Sequence, residues 1–266
     1  MSKIKIFSLG GLNENGKNMY IVDVDNSIFV LDAGLKYADD RMLGIDYVIP
    51  NFDYLKENKD RIKGLFITHG HYTQMGAISD ILTELPEINV YATEFTMELI
   101  KEELESDNVK NAKLNVIKPH HKINFGDVSI FPISLTHSVP GNVGYVINTK
   151  DGAIVYTGNF LFDQTMPDVY KTDIGKLAYV GKQGVLCLMT ESLYSEKKGF
   201  TTPNNRIGGI VLETLTKNEG RILFNLFQAQ LYRIQEIFNQ IMNTDRKVVI
   251  VGKKIETIIN KSIDTG

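Results

Sequence analysis

The sequence has 266 residues, of which 43% are hydrophobic and 23% are charged, so it is long enough for one large or two smaller domains with hydrophobic cores. Its formal net charge of −3 and its pI near 6.0 exclude a general electrostatic attraction to nucleic acid, so any contact with RNA would depend on a local patch. The single cysteine, Cys187, excludes an internal disulfide.

No uncharged apolar stretch reaches the roughly 18 residues that a membrane-spanning helix needs, and the first residues lack the apolar core of a signal peptide. We therefore expect a cytoplasmic protein without membrane contact. Cys187 lies in the apolar run 184–189, which predicts a buried strand and a small buried side chain rather than a reactive thiol.

The first part of the chain predicts an antiparallel meander followed by alternating strands and helices. A short apolar run at 65–67 predicts a buried strand, and apolar residues at helical spacing predict a helix over 75–82. A second helix is predicted over about 96–105. The remaining predicted strands are 4–9, 19–24, 28–31, 90–92, 128–135, 143–149 and 153–156.

The pattern changes after the run 184–189. The polar stretch 195–206, which contains lysine and proline, predicts a linker, and we place a domain boundary between residues 205 and 206. Beyond it, predicted helices alternate with predicted strands, which favours a parallel α/β unit. The helices are predicted at 207–216, 232–242 and 255–259, and the strands at 221–227 and 247–251. This is at most half of a doubly wound domain, so we expect an N-terminal portion of a longer protein.

The positions of the histidines are the main indication of a functional site, because the chain has only five of them. In Thr68-His69-Gly70-His71, the glycine permits a bend that turns two imidazoles towards one ion. His137 also follows a predicted strand, and loops at strand ends gather to form sites in layered α/β proteins. Three histidines at strand ends can bind zinc. His120 and His121 lie in a polar connector and are expected to be solvated.

These residues belong to a longer set of motifs that resembles the ribonuclease J family. The similar segments include Leu31-Asp32-Ala33-Gly34, Thr68-His69-Gly70-His71, Thr136-His137-Ser138-Val139-Pro140, Thr157-Gly158-Asn159-Phe160 and Phe162-Asp163-Gln164-Thr165. The resemblance covers almost the whole chain and is strongest to the degenerate second ribonuclease J paralogue of Gram-positive bacteria. It implies an α/β protein: a metallo-β-lactamase αββα sandwich over residues 1–205, then the first part of a Rossmann-like β-CASP domain over residues 206–266.

The resemblance also implies a metal site that this chain keeps only in part. The family hydrolyses RNA at two zinc ions, and one of them would be held here by His69, His71 and His137. The second ion needs an aspartate and a histidine directly after the His-x-His pair. This chain has Thr73 and Gln74 at those positions.

A further departure is Asn159, which stands where the family has the aspartate that bridges both ions. Hydroxyl and carboxamide groups are much poorer zinc ligands than carboxylate or imidazole, so we expect at most one zinc per chain and no confident catalytic residue. The resemblance makes Asp32 a structural residue beneath the site loops. It places Glu191 at an acidic strand-end position, where the side chain either supports the site or is solvated.

The leading hypothesis is a ribonuclease J-type protein of RNA processing and degradation that has lost most or all nuclease activity. Such a protein would bind RNA and act as a scaffold, with an active ribonuclease J paralogue as partner in a homo- or hetero-oligomer. One alternative is an active metal-dependent hydrolase with a single zinc on three histidines. Another is a metal-free pocket in a fold kept as an interaction module.

Overall fold

Two β-sheets form the centre of the structure, a computed structural model that describes residues 1–199, 207–227 and 229–266. The strands of the first sheet are β1 (Ile4–Gly10), β2 (Met19–Val24), β3 (Ser27–Leu31), β6 (Ile62–Phe66), β7 (Asn89–Ala92) and β8 (Lys113–Val116). The strands of the second sheet are β9 (Ile123–Phe125), β10 (Val128–Ser134), β11 (Val143–Thr149), β12 (Gly152–Tyr156) and β13 (Val185–Met189). A small separate hairpin pairs β4 (Lys36–Tyr37) with β5 (Tyr47–Val48).

Helices lie outside the sheets. They are α1 (Asp53–Glu57), α2 (Tyr72–Met75), α3 (Ile78–Glu84), α4 (Glu94–Ser106), α5 (Ile174–Gln183), α6 (Ile207–Lys217), α7 (Leu231–Ile241) and α8 (Lys253–Asp264). Apolar residues of α3 and α4 pack on the outer face of the first sheet, and Val180 of α5 packs on the outer face of the second. The arrangement is the expected αββα sandwich, which confirms the predicted fold class.

The first sheet has the order β1-β2-β3-β6-β7-β8. Its first three strands are an antiparallel meander, as predicted, whereas β3, β6, β7 and β8 run parallel. The parallel strands are covered on both faces, so four of the five residues of β3 are apolar and buried, and β6 is buried over its last three residues. The carboxyl ends of β3 and β6 therefore lie side by side at one edge.

The second sheet has the order β13-β12-β11-β10-β9. Strands β10, β11 and β12 are antiparallel neighbours, and β13 joins β12 in parallel, so β10, β12 and β13 all point in the same direction. The layer between the two sheets is rich in aromatic rings. Phe66 stacks on Tyr91 with ring centroids 4.7 Å apart, and Phe66 also meets Tyr145 of the second sheet edge to face at 5.6 Å.

The predicted buried strand at 184–189 is present as β13, but the prediction of its burial was wrong. Leu186 and Leu188 are 52% and 60% exposed, and Cys187 is half-buried against the layer between the sheets. The physical reason is position: β13 is an edge strand, so it pairs on one side only, and Leu186 and Leu188 belong to none of the buried apolar clusters of the described residues.

Residues 207–266, which we call the C-terminal segment, contain the three predicted helices. The last of them is longer than predicted and forms α8. The strands predicted at 221–227 and 247–251 were wrong, because the structure gives these stretches no strand pairing. Two isolated parallel strands make too few ladder bonds to be stable alone. The predicted boundary between residues 205 and 206 lies outside the described residues.

The C-terminal segment packs directly on the sandwich. Leu231 and Ile234 of α7 and Ile258 and Ile259 of α8 are buried in the same apolar cluster as α4 and the first sheet. Lys261 adds ion pairs to two glutamates of α4, at 3.6 and 3.8 Å. No helix in the described part of the chain has the length and apolar character needed to cross a bilayer.

Candidate metal centre

The site residues predicted from the sequence follow strands whose carboxyl ends share one edge of the sandwich. His69 and His71 follow β6, Asp32 follows β3, and His137 follows β10. In the same way Asn159 follows β12 and Glu191 follows β13. Polar groups commonly gather at this end of α/β layers, because the loops there converge while the strands fix their bases.

The structure brings His69, His71 and His137 into one cluster. Their ring centroids are 4.6, 4.5 and 4.8 Å apart in pairs, and one possible ligand nitrogen from each ring lies within 4.8 Å of the other two. Burial lowers the pKa of His69 well below its usual value and also lowers the pKa of His71. Burial, aided by His71, lowers the pKa of His137 to about 3. All three rings are therefore neutral near pH 7, the state in which imidazole binds metal.

A hydrogen-bonded chain fixes the orientation of His69. The Thr68 hydroxyl donates to the Asp32 carboxylate at 3.0 Å, so it is left to accept from Nδ1–H of His69, also at 3.0 Å. The lone pair of the neutral ring is then on Nε2. This atom is fully buried and has no hydrogen-bond partner among the described residues. A buried nitrogen without a partner is costly unless it has another use, such as holding an ion.

Asp32, at the base of these hydrogen bonds, accepts from several donors. Its carboxylate accepts from the backbone N–H of Thr68 at 2.8 Å and from the hydroxyl of Tyr156 at 2.7 Å, which ties the first sheet to the second. Burial raises the pKa of Asp32 to about 7, although these donors oppose the shift. Its contacts to Thr68 and Tyr156 join the first residues after β6 to both sheets.

Backbone and hydroxyl groups orient the other two rings. Nε2 of His71 lies 3.0 Å from the carbonyl oxygen of Ala229, which can only accept, so Nε2 carries the proton and Nδ1 is the free lone pair. Nδ1 of His137 lies 3.3 Å from the Ser138 hydroxyl. That hydroxyl donates to the Ala229 carbonyl at 3.2 Å and can accept from His137, which leaves Nε2 of His137 free. The donor set thus fits one metal ion.

The positions expected for a second ion hold three neutral side chains, which form a network with Glu191. The Thr73 hydroxyl donates to the side-chain oxygen of Gln74, whose amide donates to Asn159 at 2.5 Å. The Asn159 amide in turn donates to Glu191 at 2.5 Å. Glu191 also accepts from the backbone N–H of Phe160 at 2.8 Å. Among the described residues, the histidine trio is the one cluster of potential metal ligands, so the network offers no second set.

The other two histidines lie outside the cluster. His120 faces Asp173 at 3.3 Å near the start of α5, and His121 approaches the carbonyl of Pro119 at 3.1 Å. An open cleft of about 830 Å³ adjoins Asn159 and Glu191 on the side of residues 11–18 and 192–197.

Three groups that orient the histidines were not predicted from the sequence. Thr68 and Ser138 are the immediate sequence neighbours of His69 and His137, so their position in the motifs could have identified them. Ala229 contributes only a backbone carbonyl, which every residue has, and it reaches His71 across 158 positions of sequence. No residue type in the sequence could mark that contact.

The profile of the metallo-beta-lactamase superfamily matches residues 12–252. Ribonuclease J 2 of Staphylococcus aureus strain NCTC 8325 / PS 47 is 41% identical over 97% of this chain and 46% of its own length. Ribonuclease J 2 of Staphylococcus saprophyticus is 39% identical over the same shares. The chain therefore spans about half the length of these curated relatives.

The fold also matches a crystal structure of a protein of unknown function from Enterococcus faecalis V583. The TM-score is 0.71 at 15% sequence identity, over 99% of this chain and 68% of that one, a likeness that shows the fold alone. The superfamily profile covers the sandwich and the histidine loops, and membership implies metal binding. The chain belongs to the metallo-β-lactamase superfamily and, as its motifs predict, to the ribonuclease J family within it.

Proposed function

We propose that this protein is a ribonuclease J-type subunit of RNA processing and degradation with a degenerate metal site. It binds RNA in the cytoplasm, has weak or no nuclease activity, and assembles with an active ribonuclease J paralogue in a homo- or hetero-oligomer. Residues 1–205 form its metallo-β-lactamase domain, and residues 206–266 begin a β-CASP domain. The curated relatives, both named ribonuclease J 2, support the RNA substrate class.

The observation that carries the proposal is the network of Thr73, Gln74, Asn159 and Glu191. Its three neutral members satisfy one another and the remaining carboxylate. A bridging position between two dications needs a negative charge, which the Asn159 amide lacks. The site therefore holds at most one zinc, on His69, His71 and His137, and it lacks the paired ions that clamp a phosphate from two sides.

One observation favours a second candidate function, an active hydrolase with a single zinc. The hydrogen bonds to Thr68, Ser138 and Ala229 leave one lone pair free on each ring of the trio. Three protein ligands with an open fourth position are the donor set of many hydrolytic zinc sites, where the ion supplies Lewis acidity. In this function, His71→Ala would abolish a measurable turnover.

Metal content and RNA cleavage test the proposal together. Purified full-length protein should contain no more than one zinc per chain by elemental analysis. It should bind labelled RNA in a gel-shift assay. It should not cleave that RNA in the presence of Mg²⁺ or Mn²⁺. Two tightly held ions with robust cleavage would overturn the proposal. Cleavage that disappears in His71→Ala, with one ion per chain in the wild type, would establish the single-zinc hydrolase instead.

A further inference from the structure

A contact between the C-terminal segment and the histidine trio is the basis of a further inference. The carbonyl oxygen of Ala229 accepts from Nε2 of His71 at 3.0 Å and from the Ser138 hydroxyl at 3.2 Å. Ala229 is 5% exposed, so both bonds are shielded from water. A residue from outside the sandwich thus fixes the tautomer of a histidine inside it.

Ser138 joins the two parts of the molecule through two of its atoms, the hydroxyl oxygen and the backbone carbonyl oxygen. Its hydroxyl oxygen lies 3.3 Å from Nδ1 of His137 and 3.4 Å from Nε2 of His71. Its backbone carbonyl accepts from the N–H of Tyr232, in the first turn of α7, at 3.1 Å. The same residue therefore contacts two rings of the trio and both the entry and the start of α7.

We propose that Ser138 and the Ala229 carbonyl form a latch that links docking of the C-terminal segment to the metal affinity of the histidine trio. When the segment is docked, the latch holds His71 with Nδ1 free and His137 with Nε2 free. When it lifts away, His71 loses its acceptor, and its ring can rotate and change tautomer. Ser138 is a positioning residue in this role, because it acts through the two histidines.

Linkage makes the coupling reciprocal. If docking raises the affinity for an ion, then a bound ion must strengthen docking by the same factor. Groups that hydrogen-bond to metal-binding histidines change metal affinity by roughly 10–100-fold when they are removed. Ser138 and the Ala229 carbonyl are hydrogen-bond partners of this kind for two of the three rings, His71 and His137. The inference rests on the single-ion part of the proposed function and adds a control by the C-terminal segment.

The test compares Ser138→Ala with Ser138→Thr in the full-length protein, with Co²⁺ as a spectroscopic probe and Zn²⁺ measured by competition. We expect Ser138→Ala to bind both ions roughly 10–100-fold more weakly and with altered visible absorption bands. Ser138→Thr keeps the hydroxyl and should restore wild-type affinity and spectrum. Ser79→Ala is the matched control, since its buried hydroxyl has no hydrogen-bond partner in the described part of the chain.

Hydrogen exchange supplies a readout that does not depend on catalysis. In the wild type, Zn²⁺ should slow amide exchange over residues 229–241, and Ser138→Ala should lose most of that effect. Equal ion affinity in Ser138→Ala and wild type, or no effect of Zn²⁺ on exchange, would overturn the latch and leave the proposed function standing. If the wild type binds no ion, both the latch and the single-ion site are wrong, whereas RNA binding stands on its own gel-shift test.

Discussion

The protonation states of single residues decide what the histidine trio can do. Three neighbouring rings would repel one another if they were charged, and burial makes charging still more costly. Each ring instead donates one N–H to a fixed acceptor: Thr68, the Ala229 carbonyl or Ser138. The Asp32 side chain accepts from the hydroxyl of Thr68, so it orients His69 through Thr68 without touching the ring. The site is organised for an ion before any ion binds.

Replacing His137 by asparagine should make the metal-free protein less sensitive to mild acid. Burial lowers the pKa of folded His137 to about 3, whereas an unfolded histidine titrates near ~6.5. The unfolded chain therefore binds the extra proton, and stability is lost as the pH falls below the unfolded value. For one ring the loss between pH 7 and pH 5 is roughly 2 kcal/mol. Urea unfolding with a chelator at both pH values measures it.

The matched control for this experiment is His121→Asn. His121 lies in the connector away from the trio, so this variant should lose as much stability between pH 7 and pH 5 as the wild type. A His137→Asn protein that is as acid-sensitive as the wild type would contradict the expectation. Because the pKa of folded Asp32 is raised to about 7, its protonation adds stability as the pH falls, opposite to the effect of His137. This contribution cancels when the variants are compared, since all of them contain Asp32.

At the scale of elements, backbone hydrogen bonds hold the turn that carries Thr73 and Gln74 against the end of β3. The backbone N–H groups of Ala33 and Leu35 donate to the carbonyls of Gln74 and Tyr72 at 2.6 and 2.9 Å. Between them, Gly34 lies so close to the turn that a Cβ atom would be 1.7 Å from the carbonyl oxygen of Thr73. The absence of a side chain there lets α2 sit directly against the strand end.

Gly34→Ala should therefore loosen the site turn. The clash is with backbone, which cannot rotate aside, so we expect a loss of about 1–3 kcal/mol in the free energy of unfolding. Zinc affinity should fall as well, because the turn begins at His71. Gly209→Ala in α6 is the control: outside its own helix backbone, no atom of the described residues lies within 4 Å of the added Cβ, and alanine favours helix. Unchanged urea unfolding of Gly34→Ala would show that the turn can shift freely.

Comparison of predicted and observed elements shows which signals the sequence carries. The antiparallel meander and the strand before His69 were predicted, because apolar alternation and buried runs are local patterns. Helix α5 was not predicted; it contains two glycines and only a narrow apolar face. The strands predicted at 221–227 and 247–251 did not form, because strand formation also requires a paired neighbour, which a local pattern cannot specify.

The candidate site likewise combines residues that the sequence identifies with contacts that it does not. His69, His71 and His137 were found because metal-binding side chains are distinctive and stand at strand ends. The departures at Thr73, Gln74 and Asn159 were visible only through the family resemblance, since a threonine or an amide is unremarkable in itself. Their mutual hydrogen bonds join the turn after His71 to the loop after β12, and only the structure shows them. The Ala229 contact had no signal at all.

For the whole molecule, the hydrogen bonds among Thr73, Gln74, Asn159 and Glu191 join three segments of the site without a metal ion. Asn159 now donates to Glu191 at 2.5 Å, a favourable contact that needs no metal. An aspartate at that position would place two carboxylates side by side, which is costly unless a cation lies between them. In a site with two ions, folding and metal binding are therefore linked, and under the proposed function only the histidine trio keeps that link here.

Restoring the three family ligands should bring that link back. In the variant Thr73→Asp, Gln74→His, Asn159→Asp, we expect a melting temperature below wild type in chelator, because Glu191 then faces an unneutralised carboxylate. Zinc at ~1,000 times its dissociation constant should add about 4 kcal/mol of stability. Elemental analysis should find two ions per chain. Asn159→Asp alone should lose stability in chelator and should gain no more from zinc than the wild type gains through the histidine trio. A triple variant that melts alike with and without zinc would mean that the surrounding loops no longer fit a second ion.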